Sequence, residues 1–378
     1  MKLNPVSFLL LVGALAGNAT IADIDIFLIL SVPIFILILF QQLRSGESFT
    51  PAILAIFLAV SPIVYFAFRA PEVGIRYYDY YDLWPLKTGL LALFLIFQKG
   101  EPWPIINDYL LCGLILVLLL SGQIEQGRFV SLFGPNMLYR FFGALFLIAL
   151  IRAGSTKGFV RSVAVIMSGI GMFGMSLTGS VGTVPLILCS LFFARKSLLE
   201  LAKGHGGPIA FFAAIALLYQ FRGFFSENLV SRVQYKLDNI DGDERLFTWR
   251  RLIDTDPGWF GLDYNRFANI WTLRIPYPHN MFVELWAFYG YLGFSFALFT
   301  VFAYLASRDS RYYFYFVSVV IFIGAMLSGD LSDNFAVLSF PIVFLVARKQ
   351  FTGRLTQTIS PHRDRPRVIQ TPRYSYGR

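Results

Sequence analysis

His279 and Asn280 stand side by side, after Pro276 and Pro278 and before the apolar run "MFVELWAFYGYLG". Prolines followed by such a run predict a helix start with the His-Asn pair in its first turn. The free backbone N–H groups and the positive dipole end there favour an anion. The same end biases the histidine toward its neutral form, which can accept a proton or donate one hydrogen bond. Glu284, one turn past Asn280, is a carboxylate inside the apolar run, costly there unless it is paired or faces a cavity. Earlier in the chain, "DERLFTWRRLIDTDPGWFG" (243–261) holds Arg245, Arg250 and Arg251. A guanidinium fork matches phosphate oxygens, so these residues could bind pyrophosphate with a proton acceptor beside it. Each also has a plainer structural reading. Arg250 and Arg251 have Asp254 four and three residues away as a partner. His279 could be an interfacial cap, with Tyr277, Trp286, Tyr289 and Tyr291 as an aromatic belt. Gly290 and Gly293 read most simply as a close helix-packing site.

The elements that must position these residues follow from local pattern. In 243–261, Asp243 is a candidate N-cap, Leu246, Trp249 and Leu252/Ile253 recur at three-to-four spacing, and Pro257 and Gly258 end the helix. One face is apolar, so the helix should lie against a bundle or a membrane surface. Arg245 and Arg250 stand about 140° apart around it and need not serve one ligand. The helix sits in the one long polar stretch, Arg222 to Pro278, where eight basic residues balance eight acids. A loop of that length is uncommon unless it carries function.

Everything else predicts a membrane. The chain of 378 residues is 56% hydrophobic and only 15% charged, with a mean hydropathy of +0.61. Runs of roughly 17 to 25 apolar residues, enough to cross a hydrocarbon core, recur along most of it. We expect an all-α polytopic bundle of about twelve spans, near 5–22, 24–43, 51–68, 84–98, 105–121, 137–152, 159–177, 181–195, 208–221, 279–305, 313–329 and 332–347. Lys and Arg fall in every second loop, which puts both termini in the cytoplasm and the 222–278 loop outside. The start mimics a signal peptide, with an Ala-x-Ala site at Ala14 to Ala16, and reads better as an uncleaved first helix. Residues 1–347 then form the bundle and loop, and 348–378, with eight basic residues and one acid, a disordered cytoplasmic tail on anionic lipid. Cys112 and Cys189 lie within apolar runs, which argues against a disulfide framework or thiolate metal site. No metal, cofactor or nucleic acid is called for.

Four short motifs occur in order: "RLFTW" (245–249), "PGWFG" (257–261), "PHN" (278–280) and "GYLG" (290–293), with "FGPNMLY" (133–139) upstream. In this order and placement the chain resembles the bacterial O-antigen ligase and Wzy-type polysaccharide polymerase superfamily. The resemblance implies a multi-pass inner-membrane enzyme with a periplasmic active face. It implies inverting glycosyl transfer from an undecaprenyl-diphosphate-linked glycan, without metal or nucleotide sugar. By the same resemblance Arg245 would neutralise the leaving diphosphate and His279 would orient it or take the acceptor's proton. Asn280 would hold that histidine or the helix start; together with Arg250, Glu284 and Asn136 it is also a candidate substrate-binding residue. Implied partners are the lipid-linked donor, a glycan or lipid A-core acceptor, membrane lipids, and a chain-length regulator or flippase.

Two departures stand out. Many family members carry a Ser-Arg pair at the outer end of a middle span, whereas "LTGSVGT" (177–183) has Val181 there, with Arg140 or Arg128 as replacements. Asp263 stands where a second glycine of the turn would be. We expect a polymerase of O-antigen or exopolysaccharide repeat units, with a ligase onto lipid A-core as the alternative. From another class, a lipid-linked oligosaccharide flippase or transporter, or an assembly scaffold, would also fit the topology.

Overall fold

The computed structural model describes residues 5–17, 19–21, 24–45, 53, 57, 84–97, 104–125, 128–180, 182–203, 231–238, 244–262, 280–306, 313–327, 334–343 and 345. In chain order the elements are α1 (Pro5–Ala16), β1 (Thr20–Ile21), β2 (Ile24–Asp25), α2 (Ile26–Ser45), α3 (Trp84–Phe97) and α4 (Ile105–Ser121). Then follow β3 (Gln123–Glu125), β4 (Arg128–Val130), α5 (Pro135–Ser155), α6 (Gly158–Leu177), α7 (Thr183–Phe193) and α8 (Arg195–Ala202). The last are α9 (Ser231–Asp238), α10 (Glu244–Thr255), α11 (Met281–Ala306) and α12 (Tyr313–Leu327), with a final helical stretch at 335–343.

The protein is a helical membrane protein. Pro135–Ser155, Gly158–Leu177 and Met281–Ala303 are long and apolar enough to cross a bilayer, and Ile26–Leu37, Trp84–Ile96, Ile105–Ser121 and Thr183–Phe193 are shorter apolar segments. The expected runs at 51–68 (residues 53 and 57 apart) and 208–221 lie outside the described residues, as does the tail 348–378. Two features were not foreseen. The first helix stops at Ala16 because Gly17 turns left-handed at φ 63°, and small antiparallel hairpins, β1–β2 and β3–β4, join α1 to α2 and α4 to α5. Strands of two or three residues are too short to show alternation in sequence.

α5 is the hub, buried along most of its length and packed against α6, α7, α8, α4, α12 and α1. Its neighbours approach closely through glycine. A Cβ on Gly171 of α6 would sit 2.7 Å from the Phe142 carbonyl oxygen, and Gly174 faces the Phe142 ring. Small residues at such crossings let helices gain dispersion contacts where lipid supplies no hydrophobic drive. Outward faces carry exposed Val117, Leu120, Phe159, Ile166, Leu298 and Phe302, a surface that hydrocarbon satisfies and water does not. Cys112 and Cys189 are free and half-buried.

Polar ties hold the two ends. At one, the buried Lys87 pairs with Asp25 at 2.9 Å and donates to the Gly17 carbonyl at 3.2 Å, while Thr88 donates to the Phe335 carbonyl. At the other, Arg152 of α5 pairs with Asp108 of α4 at 2.6 Å and Ser197 of α8 donates to the Ile151 carbonyl. The starts of α2, α3 and 335–343 therefore meet at the first end, and the start of α4 meets the close of α5 at the second.

Candidate functional site

α11 opens at the end where α5 also starts. Asn280 is its N-cap: Oδ1 accepts the N–H groups of Phe282 (2.9 Å) and Val283 (3.1 Å), and its carbonyl accepts Glu284 N–H. Nδ2 donates to the Met326 carbonyl at 3.0 Å, strapping α11 to the close of α12. This corrects the reading of the helix start as an open anion site, since the side chain of Asn280 already takes two of the amides an anion would use. Of the roles considered for Asn280, holding the helix start is the one its geometry serves. Glu284 is fully buried, facing protein rather than lipid.

α10 runs as its pattern predicts, with Thr248 and Leu252 buried against the body of the protein. Arg250 is exposed and forms no ion pair with Asp254 among the described residues. Arg251 lays its guanidinium over the Phe247 ring, 4.8 Å from the centroid. Arg245 lies in the first turn of the helix; its side chain, and all of His279, lie outside the described residues. The same holds for Tyr277, Val181 and Asp263. Whether Arg245 and His279 meet therefore rests on the proposal below.

The turn after α10 is built from special backbone. Asp256 is left-handed at φ 47°, and its Oδ1 accepts the Gly258 N–H at 3.0 Å and the Tyr291 hydroxyl at 2.8 Å. The turn docks into α11, where the Tyr291 N–H donates to the Gly258 carbonyl (2.8 Å) and the Leu262 N–H to the Ala287 carbonyl (2.9 Å). α11 can accept these bonds because it breaks at Gly290, whose φ of 58° and ψ of −143° are not helical. Gly290 thus corrects the helix-packing reading by making a socket for the "PGWFG" turn, while Gly293 lets the two halves of α11 meet at the break, where its Cβ would collide with the Leu285 carbonyl. A Cβ on Gly290 would collide with the Gly258 carbonyl, and one on Gly261 with the Phe288 carbonyl. Tyr291 is a latch on this turn, its ring edge-on to Trp259 at 5.6 Å. Trp286 and Tyr289 are half-buried.

A third part comes from the hairpin before α5. Arg128 of β4 donates Nη2 to Asn136 Oδ1 at 3.0 Å and Nε to the Thr178 carbonyl at 3.2 Å. It thus stands at the 177–183 segment, held there by Asn136. Arg140 is fully buried one turn down α5. A Cβ on Gly324 of α12 would lie 2.7 Å from its Nε and 3.1 Å from the Tyr139 hydroxyl. The signal for Arg140 was available as an arginine within the apolar run "YRFFGALFLIAL", where a charge in a span marks a polar interior. The Lys87–Asp25 and Arg152–Asp108 pairs were missed, because their partners lie far apart in sequence.

Compared with known proteins, the chain matches no family model, no curated protein and no solved structure. The function must be argued from the site. One end of the bundle brings together the half-buried Arg128, the capped start of α11, the buried Glu284 and Arg140, and a helix bearing arginines whose closing turn is bonded into α11.

Proposed function

We propose that the chain is an inverting glycosyltransferase of the inner membrane, using an undecaprenyl-diphosphate-linked glycan at the periplasmic face and extending O-antigen or exopolysaccharide repeat units. The observation that carries this reading is the docking of "PGWFG" into the break at "GYLG", with Asn280 capping the same helix and "RLFTW" in the helix that leads to the turn. Two motifs read separately along the sequence, "PGWFG" and "GYLG", are thus hydrogen-bonded to each other. That linkage supports the family resemblance more strongly than their order alone.

In this mechanism the acceptor hydroxyl oxygen attacks the anomeric carbon as the bond from that carbon to the diphosphate oxygen breaks, with inversion. The hydroxyl proton passes to His279, and the bonding pair leaves with the diphosphate, whose growing charge Arg245 neutralises. A donor preorganised away from water is worth about 3 to 4 kcal/mol in such a role. Arg128 supplies the second cation in place of the absent arginine at Val181. The twelve-span topology with both termini inside belongs to the same proposal. It is supported by the meeting of the α2 and α3 starts at Asp25 and Lys87, which calls for an odd number of crossings between the two helices, and the apolar run 51–68 is long enough to supply one.

The test uses purified protein in nanodiscs with the undecaprenyl-diphosphate repeat unit, comparing wild type, Arg245→Ala and His279→Ala on a glycan gel. A ladder of lipid-linked products lost in both variants is expected. Transfer that needs added lipid A-core would make the protein a ligase, and silence with either acceptor would remove the glycosyl-transfer reading.

A further inference from the structure

We infer that α10 and the "PGWFG" turn are seated in the headgroup layer of the bilayer, and that the membrane-crossing part of α11 begins at Gly290 rather than at Asn280. This rests on the membrane character of the chain and is independent of glycosyl transfer.

The two halves of α11 live in different surroundings. Before the break, Met281, Glu284, Leu285, Ala287 and Phe288 are buried in protein, and Glu284 is a carboxylate. After it, residues 291–306 carry no charge, and Leu292, Phe294, Leu298 and Phe302 are exposed apolar side chains. Those sixteen residues make about 24 Å of helix, about four-fifths of the roughly 30 Å of a hydrocarbon core. A Cβ on Gly293 would collide with the Leu285 carbonyl, so the two halves bend sharply at Gly290 and do not form one straight span; had 280–306 crossed as one, the docked turn would lie near its middle. Exposed Arg250, Arg251, Asp254 and Asp256, on α10 and its turn, would then face acyl chains, where charge is rare and costly. Placing Gly290 at the surface leaves these charges among headgroups and water.

The apolar side chains of the same element fit that level. Trp259 is 67% exposed and Phe260 60% exposed, beside the similarly exposed Phe247 and Ile253. They continue the exposed stripe of α11 through the contact of Trp259 with Tyr291. Aromatic rings flanked by arginines are the composition of an interfacial anchor, with rings at the headgroup–acyl boundary and guanidinium groups on phosphates. The bilayer interface is thus the occupant of this face, and it would fix the height at which α10 presents its arginines.

The test reads Trp259 directly. The emission of the full chain in nanodiscs, minus that of Trp259→Phe, isolates this residue. It is recorded with lipids brominated near the headgroup end of the acyl chains, with lipids brominated near the chain terminus, and with aqueous acrylamide. We expect quenching by the shallow bromines at least about twofold stronger than by the deep ones or by acrylamide. Dominant acrylamide quenching would overturn the inference in favour of an aqueous loop, and dominant deep quenching in favour of a break inside the hydrocarbon. Phe260→Trp, introduced into the Trp259→Phe chain, repeats the measurement one residue on and must give the same order.

Discussion

Gly290→Ala tests the joint on which the site depends. At φ 58° and ψ −143° an L side chain is strained by about 1 to 3 kcal/mol. The added Cβ would also sit 2.6 Å from the backbone of Trp259 and of Gly261, and nearer still to the Gly258 carbonyl oxygen. These are backbone atoms, so relief requires the turn to leave α11. Leaving breaks Tyr291 N–H to Gly258 and Leu262 N–H to Ala287, worth about 0.5 to 1.5 kcal/mol each. If the turn undocks while residue 290 keeps its strained backbone, the two contributions sum to about 2 to 6 kcal/mol. The comparison is Gly113→Ala, in mid-helix on α4 with nothing within 4 Å of its Cβ, which should be neutral or stabilise by up to about 1 kcal/mol. Unfolding of purified protein in one detergent, followed by circular dichroism against denaturant, gives both values. A Gly290→Ala protein within about 1 kcal/mol of wild type, with Trp259 fluorescence unchanged, would refute the claim that the turn is held by this break.

Lys87→Met and Asp25→Asn should each destabilise by about 3 to 5 kcal/mol, with the double variant costing clearly less than their sum, read as a double-mutant cycle in the same unfolding assay. Asn280→Ala should cost about 1 to 3 kcal/mol through loss of the cap and the strap to Met326, and Asn280→Asp should recover the capping part alone. Arg128→Ala should abolish the glycan ladder while costing about 1 to 3 kcal/mol of stability for its two hydrogen bonds, and Arg128→Lys should restore little, because one ammonium cannot span Asn136 and Thr178 as the guanidinium does.

Much of the helical framework was legible locally. The run predicted at 105–121 is α4, that at 159–177 is α6 within a residue, and the segment 243–261 yields α10, which ends at Thr255, two residues before the expected stop at Pro257. Apolar length, Pro, Gly and basic loops act over a few residues, so a linear reading captures them. The site was legible only as a set of residue types. "GYLG" fits a helix-packing motif equally well until the "PGWFG" turn is seen bonded across it. Asn280 beside His279 suggested open amides until its own side chain was seen filling them. Arg128 gained meaning only from Thr178, fifty residues away, as Lys87 did from Asp25.

The sequence by itself determined that this chain is a helical membrane protein and which segment leaves the helical pattern, because lipid imposes a composition on every span independently of its neighbours. The tertiary structure alone decided where α11 breaks, which amides remain open and which cation stands at the 177–183 segment. Those depend on backbone and side-chain contacts between segments distant in the chain, and no local propensity encodes which distant carbonyl a glycine must make room for.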